Sequence, residues 1–218
     1  YAHHVMYTLY GYLPPTLPEH YINETSDAST AWVEGWADFF PLAVQNDPVL
    51  TGWNLETPHW CSSGWDDGGE VEGRVAGALW DIFDSINDGY DNMTDGLHRI
   101  WNITRYEKPD TFREFWDAWN ATYYTHPKDP SSPYDQQDWT STLMAIFQNS
   151  IDYRGLGDVN ADSKVDLKDV NLVAAHFGND KKNPEYPWDD RRDINHDDTV
   201  DLKDYFTVSV NYGKTYDC

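Results

Sequence analysis

Cysteine is almost missing from this chain of 218 residues. There are two, Cys61 and Cys218, which allow one disulfide at most, and their spacing identifies none. Positive charge is also scarce: 15 Lys and Arg stand against 38 Asp and Glu, a net charge of −23. Phosphate binding needs a basic footprint, so nucleic acid is excluded as a partner. No apolar run is long enough to span a bilayer, and nothing resembles a signal peptide. What is abundant is carboxylate, which fits a solvated surface, a halophilic habit or calcium sites. Apolar residues make up 39% of the chain and aromatics 16%, enough for a core in one or two domains. The sequons at Asn23, Asn92, Asn102 and Asn120 permit N-glycosylation outside the cell, and each also arises by chance in a chain rich in Asn and Thr.

Composition changes near residue 155, which predicts two domains, 1–153 and 154–218. The second contains a repeat: GDVNADSKVDLKDVNLVAAHFG aligns with RDINHDDTVDLKDYFTVSVNYG, at an offset of 35. Each copy reads as a calcium loop. In the first, loop positions 1, 3, 5, 9 and 12 hold Asp158, Asn160, Asp162, Asp166 and Asp169, and position 7 offers the carbonyl of Lys164. In the second they hold Asp193, Asn195, Asp197, Asp201 and Asp204, with the carbonyl of Thr199. Calcium takes six to eight oxygens, and alternate residues of a tightly curled loop can all point inward. Position 6 usually requires Gly for its left-handed turn; here it is Ser163 and Asp198, which predicts weaker binding. At position 8, Val165 and Val200 are expected to pair the two loops. Short helices should follow, with stripes Val170, Val173, Ala174, Phe177 and Tyr205, Val208, Ser209, Tyr212, stopping at Gly178 and Gly213.

In the first domain the informative stretch is TAWVEGWADFF, residues 30 to 40. Ser29 or Thr30 is expected to cap this helix, and Pro41 to end or kink it. Glu34 and Asp38 are four residues apart, so they share one face and repel each other unless something positive lies near. The chain opens Tyr1-Ala2-His3-His4-Val5. Y-A-H is the tail of an H-E-x-x-H zinc motif if His and Glu precede it. The pair His3–His4 also fits a plain helix surface, and Glu34 with Asp38 a solvated face. His4 lies about 100° around the helix from His3 and reads as structural. His59, His98, His126, His176 and His196 carry no spacing signal. Glu70, Glu72 and Arg74 precede or open the helix GRVAGALWDIFD, without an assignable role. The core is expected from Trp32, Trp36, Phe39, Val75, Leu79, Ile82 and Phe83.

These residues carry two resemblances. YAHHV, EGWAD, GRVAGALWDIFD and, as a closing helix, TLMAIFQNSID resemble the C-terminal part of a gluzincin metallopeptidase of the thermolysin-like clan. That resemblance implies one zinc ion in the intact parent, with His3 and Glu34 as ligands and Asp38 orienting a ligand histidine. The catalytic Glu and first His are expected just before Tyr1, so the chain itself supplies no catalytic residue, binds zinc weakly and does not cleave peptides. The implied chemistry is metal-assisted hydrolysis of a peptide or protein substrate. Residues 154–218 resemble a type I dockerin module, which implies two calcium ions and docking onto a cohesin-like domain. Its partner-facing residues would be Leu167-Lys168 and Leu202-Lys203, two near-equivalent faces. The fold expected is mainly α: a helical zincin subdomain, then a two-helix module with paired EF-hand-like loops. The setting is extracellular or at the cell surface. The rival reading is a non-catalytic, calcium-dependent binding protein.

Overall fold

A computed structural model describes residues 1–50, 52–57, 68–124 and 136–216. Cys61, Cys218, His59 and His126 lie outside them. The fold is mainly helical, and the chain divides into two compact units, Tyr1–Asp152 and Tyr153–Cys218.

The first unit contains six helices among the described residues. They are α1 (Ala2–Tyr10), α2 (Ala28–Gln45), α3 (Glu72–Phe83), α4 (Leu97–Tyr106), α5 (Phe112–Tyr123) and α6 (Gln136–Phe147). A two-stranded antiparallel ribbon, β1 (Val49–Leu50) with β2 (Trp53–Asn54), pairs Val49 with Asn54 and Leu50 with Trp53. Helix α2 is the axis of the core. Trp32, Trp36 and Phe39 are fully buried on it, and their rings meet aromatic neighbours on this and other helices. Trp32 stacks on Phe115 at 5.3 Å, and Phe39 meets Phe83 edge-on at 5.9 Å. Trp36 stacks on Phe40 at 4.8 Å and donates from Nε1 to Thr104 Oγ1 at 3.2 Å. Such pairs add to the burial that drives the packing. Val75, Leu79 and Ile82 of α3 are also buried, whereas Phe83 is only partly so.

Two local expectations are corrected. The cap of α2 is Asp27, two or three residues earlier than expected: its Oδ1 accepts from the backbone of Ser29 and Thr30. Thr30 instead binds Asp27 Oδ2 through its hydroxyl and accepts from Leu17 N. Pro41 does not end the helix, which runs on to Gln45 and closes on Asn46 in the left-handed conformation. Proline removes one helical hydrogen bond, but Phe39, Phe40, Leu42 and Ala43 are buried on either side and hold the segment helical.

α2 and α3 approach closely at Gly35. A Cβ there would lie 2.6 Å from the carbonyl oxygen of Glu72 and 2.8 Å from Val75 Cβ. This contact sets Glu34 and Asp38 against the start of α3. At the far end of α3, the carboxylate of Asp81 is buried and accepts from Gln148 Nε2 and Asn149 Nδ2, both at 2.6 Å. Those two residues follow α6, which spans an earlier stretch than TLMAIFQNSID suggested.

The second unit has two short helices, α7 (Leu167–Ala174) and α8 (Leu202–Asn211), each starting at the end of a loop. Its core is small: Val159, Val165, Val173, Val200 and Val208, flanked by Val170, Leu172, Trp188, Ile194 and Tyr216. The helical stripes are narrower than expected, since Ala174, Phe177, Tyr205, Ser209 and Tyr212 are exposed. The loops are not joined Val165 to Val200 by backbone pairing. Val165 exchanges hydrogen bonds with Gly213 and Lys214 after α8, and Val200 with Gly178 and Asn179 after α7. Each copy is therefore completed by the tail of the other, while both valines enter one core.

Candidate functional site

His3 lies in the first turn of α1 and Glu34 in the middle of α2. The two helices bring His3 Nε2 to 2.8 Å from Glu34 Oε2. The imidazole is partly exposed and the carboxylate mostly buried. His4 faces solvent. Asp38, one turn beyond Glu34, packs against Glu72. Burial, and next the facing Glu72 carboxylate, push its pKa up to about 8. Asp38 Oδ2 is buried and has no hydrogen-bond partner among the described residues. A buried, unsatisfied acceptor beside a zinc-type donor pair suits a histidine N–H. In that respect the pocket fits a zinc site whose remaining parts are not supplied by these residues. Among the described residues, no three His, Cys, Asp or Glu side chains form a finished metal-binding group.

Nothing in the spacing of the sequence pointed to His20. It sits in the irregular segment between α1 and α2, where no periodicity points to a partner. The structure stitches this segment to the start of α3: Gly73 N donates to Ile22 O, Ser26 N donates to Glu70 O, and Thr25 bridges Val71. As a result His20 Nδ1 lies 2.8 Å from Glu72 Oε2, and its Nε2 lies 3.8 Å from Glu34 Oε1. Glu72 is the first helical residue of α3, where the helix dipole favours a carboxylate. Arg74 is buried on the same helix, and Glu70 ends the short 3-10 turn before it.

In the second unit, the two loops have matching geometry. Asp158 and Asp193, at position 1, are buried, and so are Asp169 and Asp204 at position 12. Ser163 and Asp198, at position 6, both adopt φ 66°, the left-handed conformation that the sequence required of them. Asp158 accepts from the backbone of Asp162 and Ser163, and Asp193 from Asp197 and Asp198. Asp166 and Asp201 cap α7 and α8 in capping boxes completed by Asp169 and Asp204. Asn160 and Asn195 bind Asp162 and Asp197 through their side-chain amides.

Burial, then Asp169, pushes the pKa of Asp158 up to about 7; burial is also the main cause that raises Asp193 to about 6. Asp162 Oδ1 is buried without a partner. Crowded, desolvated carboxylates of this kind fit a hard cation. Within the chain their positive neighbours are lysines: Lys168 Nζ reaches Asp162 Oδ2 at 2.7 Å, and Lys203 reaches Asp197 in the same way. Lys164 is exposed, and Thr199 pairs with Asp180 across an isolated bridge. Leu167 and Leu202 are exposed by 62% and 69%, so both expected docking dipeptides are accessible. Beyond them the helices differ. α8 exposes Phe206 and Val210 where α7 has Asn171 and Ala175.

Compared with known proteins, residues 1–132 match the model of the mycolysin C-terminal domain family. No curated protein and no solved structure matches the chain.

Proposed function

The chain belongs to the mycolysin C-terminal domain family, and from that premise we propose that its first unit is the ligand-bearing half of a zinc endopeptidase site. Peptidases of this type are secreted metallopeptidases, and among the described residues no helix is long and apolar enough to cross a membrane. The observation that carries the proposal is the approach of His3 Nε2 to Glu34 Oε2 from two different helices. His3 and Glu34 would hold the zinc, with Asp38 orienting a further histidine through its unsatisfied Oδ2. When bound, zinc supplies a Lewis acid that polarises the scissile carbonyl and favours ionisation of water. What this chain contributes is placement. The Gly35 contact fixes the Glu34 face against α3, and the aromatic core of α2 keeps it rigid.

The test is zinc analysis of the native gene product. Zinc at one per chain, lost together with peptide hydrolysis in Glu34→Ala, is the expected result. A native product that holds no zinc and cleaves no peptide overturns the proposal and leaves a non-catalytic binding protein.

For the second unit the reading is a calcium-stapled, dockerin-like module that docks onto a cohesin-like domain outside the cell or at its surface. Its support is the paired loops with buried carboxylates at positions 1 and 12 and left-handed position 6. Two calcium ions are expected by calorimetric titration of the full chain. Asp158→Ala and Asp193→Ala should each remove one, and a titration showing no calcium uptake overturns this reading.

A further inference from the structure

Neither metal reading uses the four sequons, and the fold treats them differently. Asn92-Met93-Thr94 lies in the irregular segment between α3 and α4. Burial alternates there residue by residue: Asp91 and Met93 are buried, Asn92 and Thr94 exposed. Met93 is the anchor, with its sulfur accepting from the Thr142 hydroxyl. Asparagine and threonine therefore emerge together on the solvent side. Asn87 donates to Asn92 Oδ1 at 3.0 Å, which engages the oxygen and leaves Nδ2, the atom that bears a glycan, without a partner among the described residues. Two other sequons are helical, where residues two apart diverge by about 200°. On α4, Asn102 is half-buried, and Thr104 is fully buried between Ile100 O at 2.9 Å and Trp36 Nε1 at 3.2 Å. On α5, Thr122 is exposed, but Asn120 is half-buried and accepts from Trp139 Nε1 at 3.1 Å. Asn23 is half-buried too, in a loop that Ile22, Thr25 and Ser26 bind to residues 70–73.

We propose that Asn92 is the N-glycosylation site of this chain, and that Asn23, Asn102 and Asn120 stay unmodified. The co-reactant is a lipid-linked oligosaccharide brought by a transferase outside the cytoplasm, so the proposal rests on the secreted reading. Asn92 Nδ2 forms a bond to the anomeric carbon as the bond from that carbon to the lipid phosphate breaks. One amide proton passes to a base of the transferase, and the lipid phosphate leaves. A glycan is bulky and solvated and needs open surface. Only at Asn92 are both the amide and the hydroxyl two residues on exposed.

The experiment is glycopeptide mass spectrometry, site by site, on the full chain secreted from cells that also modify a co-expressed reporter sequon. A glycan at Asn92 alone is the expected result. Intact mass should fall by one glycan in Asn92→Gln. It should fall equally in Thr94→Val, which keeps the asparagine and removes only the hydroxyl, whereas Thr94→Ser should retain the glycan. Both side chains are exposed, so the urea midpoint of the unglycosylated protein should not move. The Thr94→Val and Thr94→Ser pair decides the matter where Asn92→Gln fails to fold. A secreted chain bare at Asn92 beside a modified reporter overturns the proposal, and so does comparable occupancy at Asn23, Asn102 or Asn120. A chain held inside the cell and bare at every sequon refutes the secreted reading and the proposal with it, a result told apart by where the protein is found.

Discussion

The two units are held together by different materials. The first buries large aromatic rings, with Trp32, Trp36, Trp119, Phe39, Phe112, Phe115 and Phe147 all fully enclosed. The second encloses five valines and also buries the carboxylates Asp158, Asp169, Asp193 and Asp204. A small core supplies little apolar burial. Unpaired charge at its edge works against folding unless a cation is bound. The first unit is thus a scaffold that stands on packing, and the second one whose small core lies in a unit rich in buried carboxylates.

Removing the calcium proposed for the second unit's loops is the strongest way to break this contrast. At a thousand times its dissociation constant a ligand stabilises by about 4 kcal/mol. Chelation should therefore lower hydrogen-exchange protection of residues 158–169 and 193–204 by roughly a thousandfold and leave residues 32–42 unchanged. Equal behaviour of both segments would erase the distinction. Trp36→Ala probes the other side of it: truncation of a buried aromatic should cost about 3–5 kcal/mol, read as a lower urea midpoint for the first unit.

Acidity sharpens the comparison further, because the first unit has strained carboxyls of its own. Burial, then the facing Glu56, raises Asp84 to about 7, and burial, then nearby Asp88, raises Asp91 to about 7. Folded, these groups hold protons that the unfolded chain releases near 4. Their contribution is complete below that pH and is lost as pH rises through about 7. Melting temperature of the first unit should accordingly fall between pH 4 and 8, and Asp84→Asn with Asp91→Asn should flatten the slope. The smallest effect expected is that of Asp27→Ala, which removes the cap of α2 and should cost about 1 kcal/mol by urea denaturation.

What the sequence disclosed follows from how local each feature is. The two repeated acidic loops were legible because their spacing lies within twelve residues, and the left-handed Ser163 and Asp198 followed from it. The approach of His3 to Glu34 was legible only through a motif resemblance, since their 31-residue separation has no periodic signature. His20 was invisible: its partner Glu72 is 52 residues away, and coil-to-helix backbone bonds bring them together. The α2 cap was displaced because Asp27 outcompetes the hydroxyls that follow it. Pro41, expected to end or kink the helix, does not end it because burial on both sides outweighs a local break. The pairing of each loop with the other copy's tail was hidden by the near identity of the copies, which leaves both arrangements equally consistent with the text.

That exchange of tails has a consequence for a copy on its own. A lone copy of the repeat, with its loop and its helix, has no tail but its own, and its Val165 or Val200 position would find no strand to bind. Two separate copies could satisfy each other by the same exchange of backbone bonds that the fused copies make here. A single copy would meet its own needs only as a self-associating peptide, and two copies in one chain turn an encounter between molecules into a turn of the backbone.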